Sequence, residues 1–177
     1  VKTLYEKGIH PDAIVGDLDS IPADLRKRYA DRIHHLEDQE INDLSKSIRF
    51  AHAQGYREVL ILGATGLRED HTLGNISLLM EYAPLFKRVE MLSDYGLFTP
   101  ILETTTFASY PGQQISIFVL YPEGEISTEG LRWPIRRRKL TSWWQGTLNE
   151  ALGDQFTVTL SPDCRVIIYR EASHTKE

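Results

Sequence analysis

The sequence predicts two structural classes in one chain: an α/β region with a mostly parallel, doubly wound sheet, followed by an all-β region. Before residue 95, helical and strand patterns alternate, which favours parallel strands covered by helices on both faces. From Phe98 onward the helical period disappears, and Pro and Gly turns separate short strand patterns, which favours an antiparallel sandwich or barrel. We therefore predict domains at 1–97 and 98–177, with the boundary near Leu97–Glu103.

The elements of the first region follow from hydrophobic spacing and from Gly and Pro signals. Leu44, Ile48 and Ala51 fall on one face of a predicted helix that ends before Gly55. The predicted helices cover 1–7, 22–29, 42–54 and 70–82, and the predicted strands cover 12–16, 32–36, 59–62 and 88–92. The last helix is predicted to turn four apolar residues inward: Leu73, Ile76, Leu79 and Met80.

The second region is predicted to be built from strands alone. Their ranges are 104–108, 114–121, 131–135, 155–160 and 165–169. The basic run Arg136–Lys139 is interpreted as a solvated hairpin between two of them, with a phosphate-binding arm as the alternative.

Composition excludes several classes of protein. A hydrophobic fraction of 41% and a charged fraction of 25% are ordinary for a globular protein. The net charge of -5 argues against a nucleic-acid binder, and no apolar run reaches the length of a membrane span. Cys164 is the only cysteine, so an internal disulfide is impossible; we expect a passive thiol and a cytoplasmic protein.

The most informative segment is Gly16–Ser20, which follows a predicted buried strand. Carboxylates two residues apart in an extended chain project to one side, so Asp17 and Asp19 can share a cation. Mg²⁺ prefers such hard oxygen ligands, with water and phosphate completing its shell. An Asx turn also favours these residue types and is the alternative interpretation.

A second acidic position opens the helix at 42–54. Asp43 is a candidate metal ligand, although capping of the helix also explains a carboxylate there. Lys46 lies one turn further on and is a candidate phosphate ligand, with a solvated lysine as the alternative. Gln39, in the preceding loop, is polar but not diagnostic.

The third segment joins a buried strand to a helix through the glycine loop Gly63–Gly66. Glycines let backbone N–H groups approach an anion, and a helix N-terminus favours phosphate. Arg68 suits a bidentate phosphate contact, while Asp70 is a candidate cap, metal ligand or both. His71 is either a ligand contact or a helix-surface residue. A doubly wound sheet would gather these acidic turns along one edge, so we expect Asp43 to approach the loop that holds Asp17. Carboxylates gathered in this way repel one another unless a cation is bound, so metal and phosphate binding is the simplest explanation.

These segments resemble the thiamin pyrophosphokinase family. Its pattern P-D-x-x-x-G-D-x-D-S is matched by Pro11–Ser20, and D-Q-x-x-x-D-x-x-K by Asp38–Lys46. Its pattern G-A-x-G-G-R-x-D-H-x-x-x-N is matched over Gly63–Asn75, with Leu67 in place of the second glycine. In the β region, Gly130–Pro134 resembles the family's G-L-x-W-x-L strand, and Asn149-Glu150 the end of its S-N-E segment, whose serine is Leu148 here.

The resemblance implies a C-terminal β-sandwich, a homodimer with thiamin between subunits, and transfer of pyrophosphate from ATP to thiamin with Mg²⁺. It assigns these roles: Asp17, Asp19, Asp43 and Asp70 to metal and catalysis; Ser20, Lys46, Gly63, Arg68 and His71 to ATP; Gln39, Trp133 and Asn149 to thiamin. Asp43 or Asp70 would accept the hydroxyl proton. The family's first strand and acidic loop have no counterpart in this sequence, and the pair Trp143-Trp144 is additional to its pattern.

Two alternatives remain open at this point. One is a related pyrophosphokinase that acts on another hydroxymethyl heterocycle of the pterin type. The other is a non-catalytic protein that binds thiamin or a nucleotide. For Trp133 itself, a ring that stacks on thiamin and a ring packed in the core are both open.

Overall fold

A computed structural model describes residues 1–36, 38 and 40–172. The chain separates into two compact units, Val1–Tyr56 and Arg57–Glu177, called unit 1 and unit 2 below. These units are not the domains predicted at 1–97 and 98–177, and that division stays a prediction.

The helices and strands alternate in the first half of the chain, and strands dominate the second half. The helices are α1 (Lys2–Glu6), α2 (Ala23–Arg28), α3 (Asp43–Ala53) and α4 (Glu69–Tyr82). The strands are β1 (Ile14–Gly16), β2 (Ile33–His35), β3 (Glu58–Leu62), β4 (Arg88–Leu92), β5 (Gly96–Ile101), β6 (Thr105–Ala108), β7 (Gln114–Tyr121), β8 (Ile126–Glu129), β9 (Asn149–Glu150), β10 (Gln155–Leu160) and β11 (Arg165–Glu171). Short 3₁₀ turns cover Ala30–Arg32, Ala83–Leu85 and Trp143–Gly146.

Unit 1 is built on a parallel pair of strands, β1 and β2. Ile14, Leu25 and Tyr29 form its small core, together with Leu18 from the loop after β1. The side chain of Leu18 therefore anchors the acidic loop in the apolar interior.

Unit 2 contains two sheets. One has six strands in the order β3-β4-β5-β11-β7-β9, in which β3 and β4 are parallel and the remaining pairs antiparallel. The other has three antiparallel strands in the order β6-β10-β8. Alternate residues of β7, among them Ile115, Ile117 and Val119, join Phe156 and Val158 of β10 in one buried core. The protein is therefore a mixed α/β fold that is rich in β-structure.

Three sequence predictions about elements are wrong. The strand before the glycine loop is not buried as predicted, since Leu60 and Leu62 of β3 are 53% and 66% exposed. No strand forms at 131–135, where Leu131 makes only an isolated bridge to Ala151. The backbone N–H and C=O of Trp133 form hydrogen bonds with the side-chain amide of Asn149 instead of with a neighbouring strand. Leu73 does not face inward, since it is 52% exposed and burial within α4 is confined to Leu79, Met80 and Tyr82.

Within the part of the chain that the structure describes, no helix is both long enough and apolar enough to cross a bilayer.

Candidate active site

The acidic loop of unit 1 begins where β1 ends, at Gly16. Gly16 has φ +149°, and a Cβ added to it would lie 3.2 Å from Oδ1 of Asp43. The first turn of α3 therefore packs against the backbone directly before Asp17. The expectation that Asp43 approaches the acidic loop is met within unit 1, and Gly16 permits that approach because it has no side chain.

Asp17 organises the loop that follows. Its Oδ1 accepts a hydrogen bond of 3.1 Å from the backbone N–H of Asp19, which is the Asx-type turn considered as the alternative to metal binding. Leu18, buried and at φ 69°, closes the turn, while Asp19 and Ser20 are exposed. The turn uses Oδ1 of Asp17, and the carboxylate has a second oxygen. Asp17 can therefore form the turn and bind a cation at the same time.

Asp43 does not cap α3. The cap is Asn42, whose Oδ1 accepts a 2.8 Å hydrogen bond from the backbone N–H of Ser45. Asp43 instead pairs with Lys46, with Nζ 3.3 Å from Oδ1. The Lys46 side chain is only 3% exposed, whereas that of Asp43 is 61% exposed. The interpretation of Lys46 as a solvated lysine is therefore wrong, and its predicted contact with ATP stays a prediction.

The described residues contain no group of three or more His, Cys, Asp and Glu side chains arranged to hold a metal ion. Mg²⁺ commonly takes only one or two carboxylates, with water and substrate phosphate as the other ligands. The oxygen donors on the loop after β1 and on α3 fit that chemistry, so Mg²⁺ remains a proposal. Gln39 lies outside the described residues.

The glycine loop of unit 2 connects β3 to α4. Gly63 and Gly66 have φ of +70° and +92°, conformations that other residues rarely adopt. Asn75 donates a 2.9 Å hydrogen bond from Nδ2 to the carbonyl of Ala64, which ties the loop to α4. A pocket of about 290 Å³ lies over this loop, and His71 is among its lining residues.

Arg68 and Asp70 form an exposed ion pair at the start of α4. Nε and Nη2 of Arg68 lie 3.1 and 2.6 Å from Oδ1 and Oδ2 of Asp70. This contact, and then the N–H of His71 donating to Oδ1, lower the pKa of the Asp70 carboxyl below its ordinary value. Both charges are accessible, and this ion pair would have to open before Arg68 could give the same two-donor contact to a phosphate.

The predicted thiamin residues of unit 2 lie together. Trp133 and Asn149 both line a pocket of about 290 Å³ that also contains Arg136, Arg138 and Leu148. Trp133 is 56% exposed, so its interpretation as a core residue is wrong. Asn149 is buried; its Oδ1 accepts from the N–H of Trp133 and its Nδ2 donates to the carbonyl of the same residue.

Comparison with known proteins decides the family. A family model described as "Thiamin pyrophosphokinase, catalytic domain" matches residues 1–92, and one described as "Thiamin pyrophosphokinase, substrate-binding domain" matches residues 96–169. The chain belongs to the thiamin pyrophosphokinase family. The acidic loop and the glycine loop both fall within the catalytic model, and Trp133 and Asn149 fall within the substrate-binding model.

Curated relatives agree. Thiamine pyrophosphokinase 1 of Oryza sativa subsp. japonica is 29% identical over 174 residues, covering 89% of this chain and 64% of its own length. Thiamine pyrophosphokinase 1 of Arabidopsis thaliana is 30% identical over 146 residues, covering 73% of this chain and 54% of its own length. The chain therefore spans between about half and two thirds of these relatives.

Solved structures of family members share the fold. Thiamin pyrophosphokinase from Geobacillus thermodenitrificans superposes with a TM-score of 0.80 at 24% identity, over 98% of this chain and 83% of its own. Thiamin pyrophosphokinase from Candida albicans superposes with a TM-score of 0.82 at 18% identity, over 97% of this chain and 78% of its own.

Two residues that position the site carry no role in the sequence prediction. Gly16 makes room for the Asp43 carboxylate, and Asn75 fixes the glycine loop. Both occur in the family patterns matched above, so their place in those patterns was the available signal. Their contacts join residues 27 and 11 positions apart, which spacing alone does not reveal.

Proposed function

We propose that this protein transfers the pyrophosphoryl group of ATP to the hydroxyl of thiamin, giving thiamin diphosphate and AMP. The observation that carries the proposal is the match of the catalytic family model to residues 1–92, which contain the acidic loop, Asp43 and the glycine loop. The packing of Asp43 against Gly16 supports the proposal, because it brings the carboxylates of two separate acidic segments close together.

Asp17 and Asp43 are the proposed principal Mg²⁺ ligands, with Asp19 and Asp70 as further candidates. When bound, Mg²⁺ would offset the charge of the phosphate oxygens. The buried Lys46 ammonium contacts Oδ1 of Asp43 at 3.3 Å and so favours one orientation of that carboxylate. Ser20, which is exposed after the acidic turn, is a proposed ATP contact.

The glycine loop and the first turn of α4 are proposed to hold phosphate. Backbone N–H groups near Gly63 supply neutral donors, and Arg68 and His71 supply side-chain contacts. Arg68 would exchange the Asp70 carboxylate for a phosphate, which offers the same bidentate geometry with more negative charge.

Asp43 and Asp70 are both proposed acceptors of the thiamin hydroxyl proton. The contact with Arg68 lowers the pKa of Asp70, which makes its carboxylate a weaker base while that ion pair is formed. Asp43 likewise has a cation beside it, the Lys46 ammonium at 3.3 Å, so these contacts do not separate the two candidates.

Thiamin is proposed to bind with Trp133 against its rings and with Gln39 and Asn149 as polar contacts. The hydrogen bonds of Asn149 to the backbone of Trp133 would hold that indole in place. We also propose a cytoplasmic homodimer with thiamin at the subunit interface; the exposed side chains of Trp133, Trp144 and Leu148 support such an interface. Light scattering would test the dimer.

The test is AMP formation from ATP and Mg²⁺, with and without thiamin, together with detection of thiamin diphosphate. We expect thiamin-dependent AMP and an equal amount of thiamin diphosphate. Asp17→Asn should abolish turnover, whereas the matched control Asp24→Asn, on α2, should not. AMP formation that requires a pterin alcohol instead would identify another acceptor. Binding of ATP without AMP formation would identify a non-catalytic protein.

A further inference from the structure

The basic run Arg136–Lys139 has no role in the function proposed above, and its backbone is fixed against β8. The backbone groups of Arg138 and Ile126 exchange two hydrogen bonds, of 3.1 and 3.0 Å. The carbonyl of Ile135 accepts a 2.9 Å hydrogen bond from the backbone N–H of Thr128, two residues further along β8. The run is therefore an arm held along β8. Its interpretation as a hairpin between two strands is wrong, because the strand predicted before it does not form.

A β-bulge in this arm separates its arginine side chains. Arg136 and Arg137 together stand opposite the single residue Ser127, whose hydroxyl accepts a 2.9 Å hydrogen bond from the N–H of Arg137. Arg137 has φ 44°, and its Nε lies 3.3 Å from Oε2 of Glu125. Arg136 and Arg138 instead line the candidate thiamin pocket. The bulge thus divides three consecutive arginines between a surface ion pair and a cavity, and re-aiming side chains beside a site is a common use of bulges.

The candidate thiamin pocket is electropositive. In the part of the chain that the structure describes, its lining contains Arg136 and Arg138, neither of them paired with a carboxylate, and no acidic side chain. Gln145 adds a polar group to the same lining. Its Oε1 accepts hydrogen bonds from the N–H groups of Thr141 and Ser142, so its Nε2 supplies the donors on this wall. The polar groups of the pocket therefore favour an anion.

This positive charge does not suit thiamin alone. Thiamin carries a positive thiazolium ring, and like charges brought together weaken binding. A diphosphate, in contrast, can accept paired, charge-assisted hydrogen bonds from a guanidinium. The same heterocycle with a diphosphate attached has a net negative charge at neutral pH. The pocket therefore matches the phosphorylated heterocycle better than the free one.

Trp133 supplies a surface for the heterocycle in either form. The guanidinium of Arg132 lies 5.3 Å from the centroid of the indole and pairs with Glu150, and Arg132 does not line the pocket. Arg132 therefore covers one face of the indole from outside the pocket, and the other face is available to a ligand. Stacking on that face is open to both forms of thiamin, so the discrimination between them falls to the arginines.

We propose that Arg136 and Arg138 make this pocket a binding site for thiamin diphosphate, the reaction product, which it holds more tightly than thiamin. The inference rests on the proposed function for the identity of the heterocycle. Each charge-assisted contact from a guanidinium contributes about tenfold in affinity. Product held in this way competes with thiamin for one pocket, so accumulated thiamin diphosphate slows turnover.

The experiment is calorimetric titration of the full chain with thiamin, thiamin diphosphate, ADP and inorganic pyrophosphate. EDTA is present, so that no Mg²⁺ links a phosphate to the acidic loop. We expect the wild type to bind thiamin diphosphate at least about tenfold more tightly than thiamin, and to lose part of this preference when the salt concentration is raised. Equal affinity for the two compounds at low salt would overturn the proposal without any variant.

Variants of the arm locate the effect. Arg136→Gln and Arg138→Gln should each weaken thiamin diphosphate about tenfold without weakening thiamin, and Arg136→Lys should keep part of the affinity. Arg137→Gln is the matched control, since Arg137 belongs to the same run but pairs with Glu125. It should bind both compounds like the wild type. Equal losses in the control and in Arg136→Gln would overturn the proposal, because the run would then act only as diffuse charge.

The remaining outcomes separate ligands and hypotheses. Variants that lose ADP or pyrophosphate but keep thiamin diphosphate would overturn the proposal, because the arginines would then serve another phosphate compound. Arginine-dependent binding of thiamin diphosphate, in a protein without thiamin-dependent AMP formation, would support this inference and refute the proposed function alone. Thiamin-dependent AMP formation together with product binding that ignores the arginines would do the reverse.

Discussion

Replacing Gly16 with Ala tests the geometry of the acidic loop. The new Cβ would lie 3.2 Å from Oδ1 and 3.3 Å from Cγ of Asp43, and the backbone would keep φ +149°. Backbone strain of this kind costs about 1–3 kcal/mol. Weakening the Asp43–Lys46 hydrogen bond, 3.3 Å long, adds about 1 kcal/mol. We expect the free energy of unfolding to fall by about 2–4 kcal/mol, and turnover to fall with it because Asp43 is displaced.

The assay is urea unfolding followed by circular dichroism, with Gly8→Ala as the control. Gly8 also has a positive φ, +72°, but nothing lies within 4 Å of an added Cβ, so strain alone should cost about 1–2 kcal/mol. With a typical urea dependence of about 2 kcal/mol per molar, the midpoint of Gly16→Ala should drop by about 1–2 M. Equal midpoints for the two variants, with full activity in both, would refute the packing of Asp43 against this glycine.

Three further outcomes are expected from contacts described above. Asp43→Ala should destabilise by about 1–2 kcal/mol because it removes the carboxylate that pairs with the buried Lys46 ammonium, and adding Lys46→Met should restore part of the loss; strictly additive costs in a double-mutant cycle would contradict this. Arg68→Ala should raise the pKa of Asp70 toward its ordinary value in an NMR titration, since the guanidinium favours the charged carboxylate; the stabilisation from this pair is present at neutral pH and disappears as the pH falls through the lowered pKa. Cys164 is 1% exposed and burial raises the pKa of its thiol, so a thiol reagent should modify it slowly in the native protein and quickly in urea; equal rates would show that the thiol is accessible.

Elements with a long, regular pattern could be predicted from the sequence. β7 and β10 begin and end at the predicted residues. α3 is one residue shorter than predicted at each end, and α4 begins one residue earlier than predicted and ends where predicted. The two-residue strand β9 was missed because a strand that short has no measurable period and exists only through its partner β7. The four-residue strand β8 was also missed; its sequence ISTE contains a single apolar residue, and it forms by pairing with β10. β5 was missed because it contains Pro100 and occupies the region assigned to a boundary.

In the candidate site, too, some features could be predicted from the sequence and others could not. Acidic residues at the ends of successive elements predicted that Asp43 approaches the loop after β1, since connections in α/β units meet at one edge of the sheet. The burial of Lys46 could not be predicted, nor could the hydrogen bonds between the Asn149 side chain and the backbone of Trp133. Both depend on which polar atoms find partners after the chain has folded, and neither periodicity nor residue type contains that information.

The position of β3 has a practical consequence. In the part of the chain that the structure describes, β3 pairs with β4 alone and ends the six-stranded sheet, with Leu60 and Leu62 of this strand 53% and 66% exposed. An apolar edge strand with free backbone donors and acceptors is a template for adding strands from other molecules. In concentrated solution this chain should therefore aggregate first by intermolecular strand addition at β3. A single charged side chain introduced into β3 would be the simplest way to improve solubility.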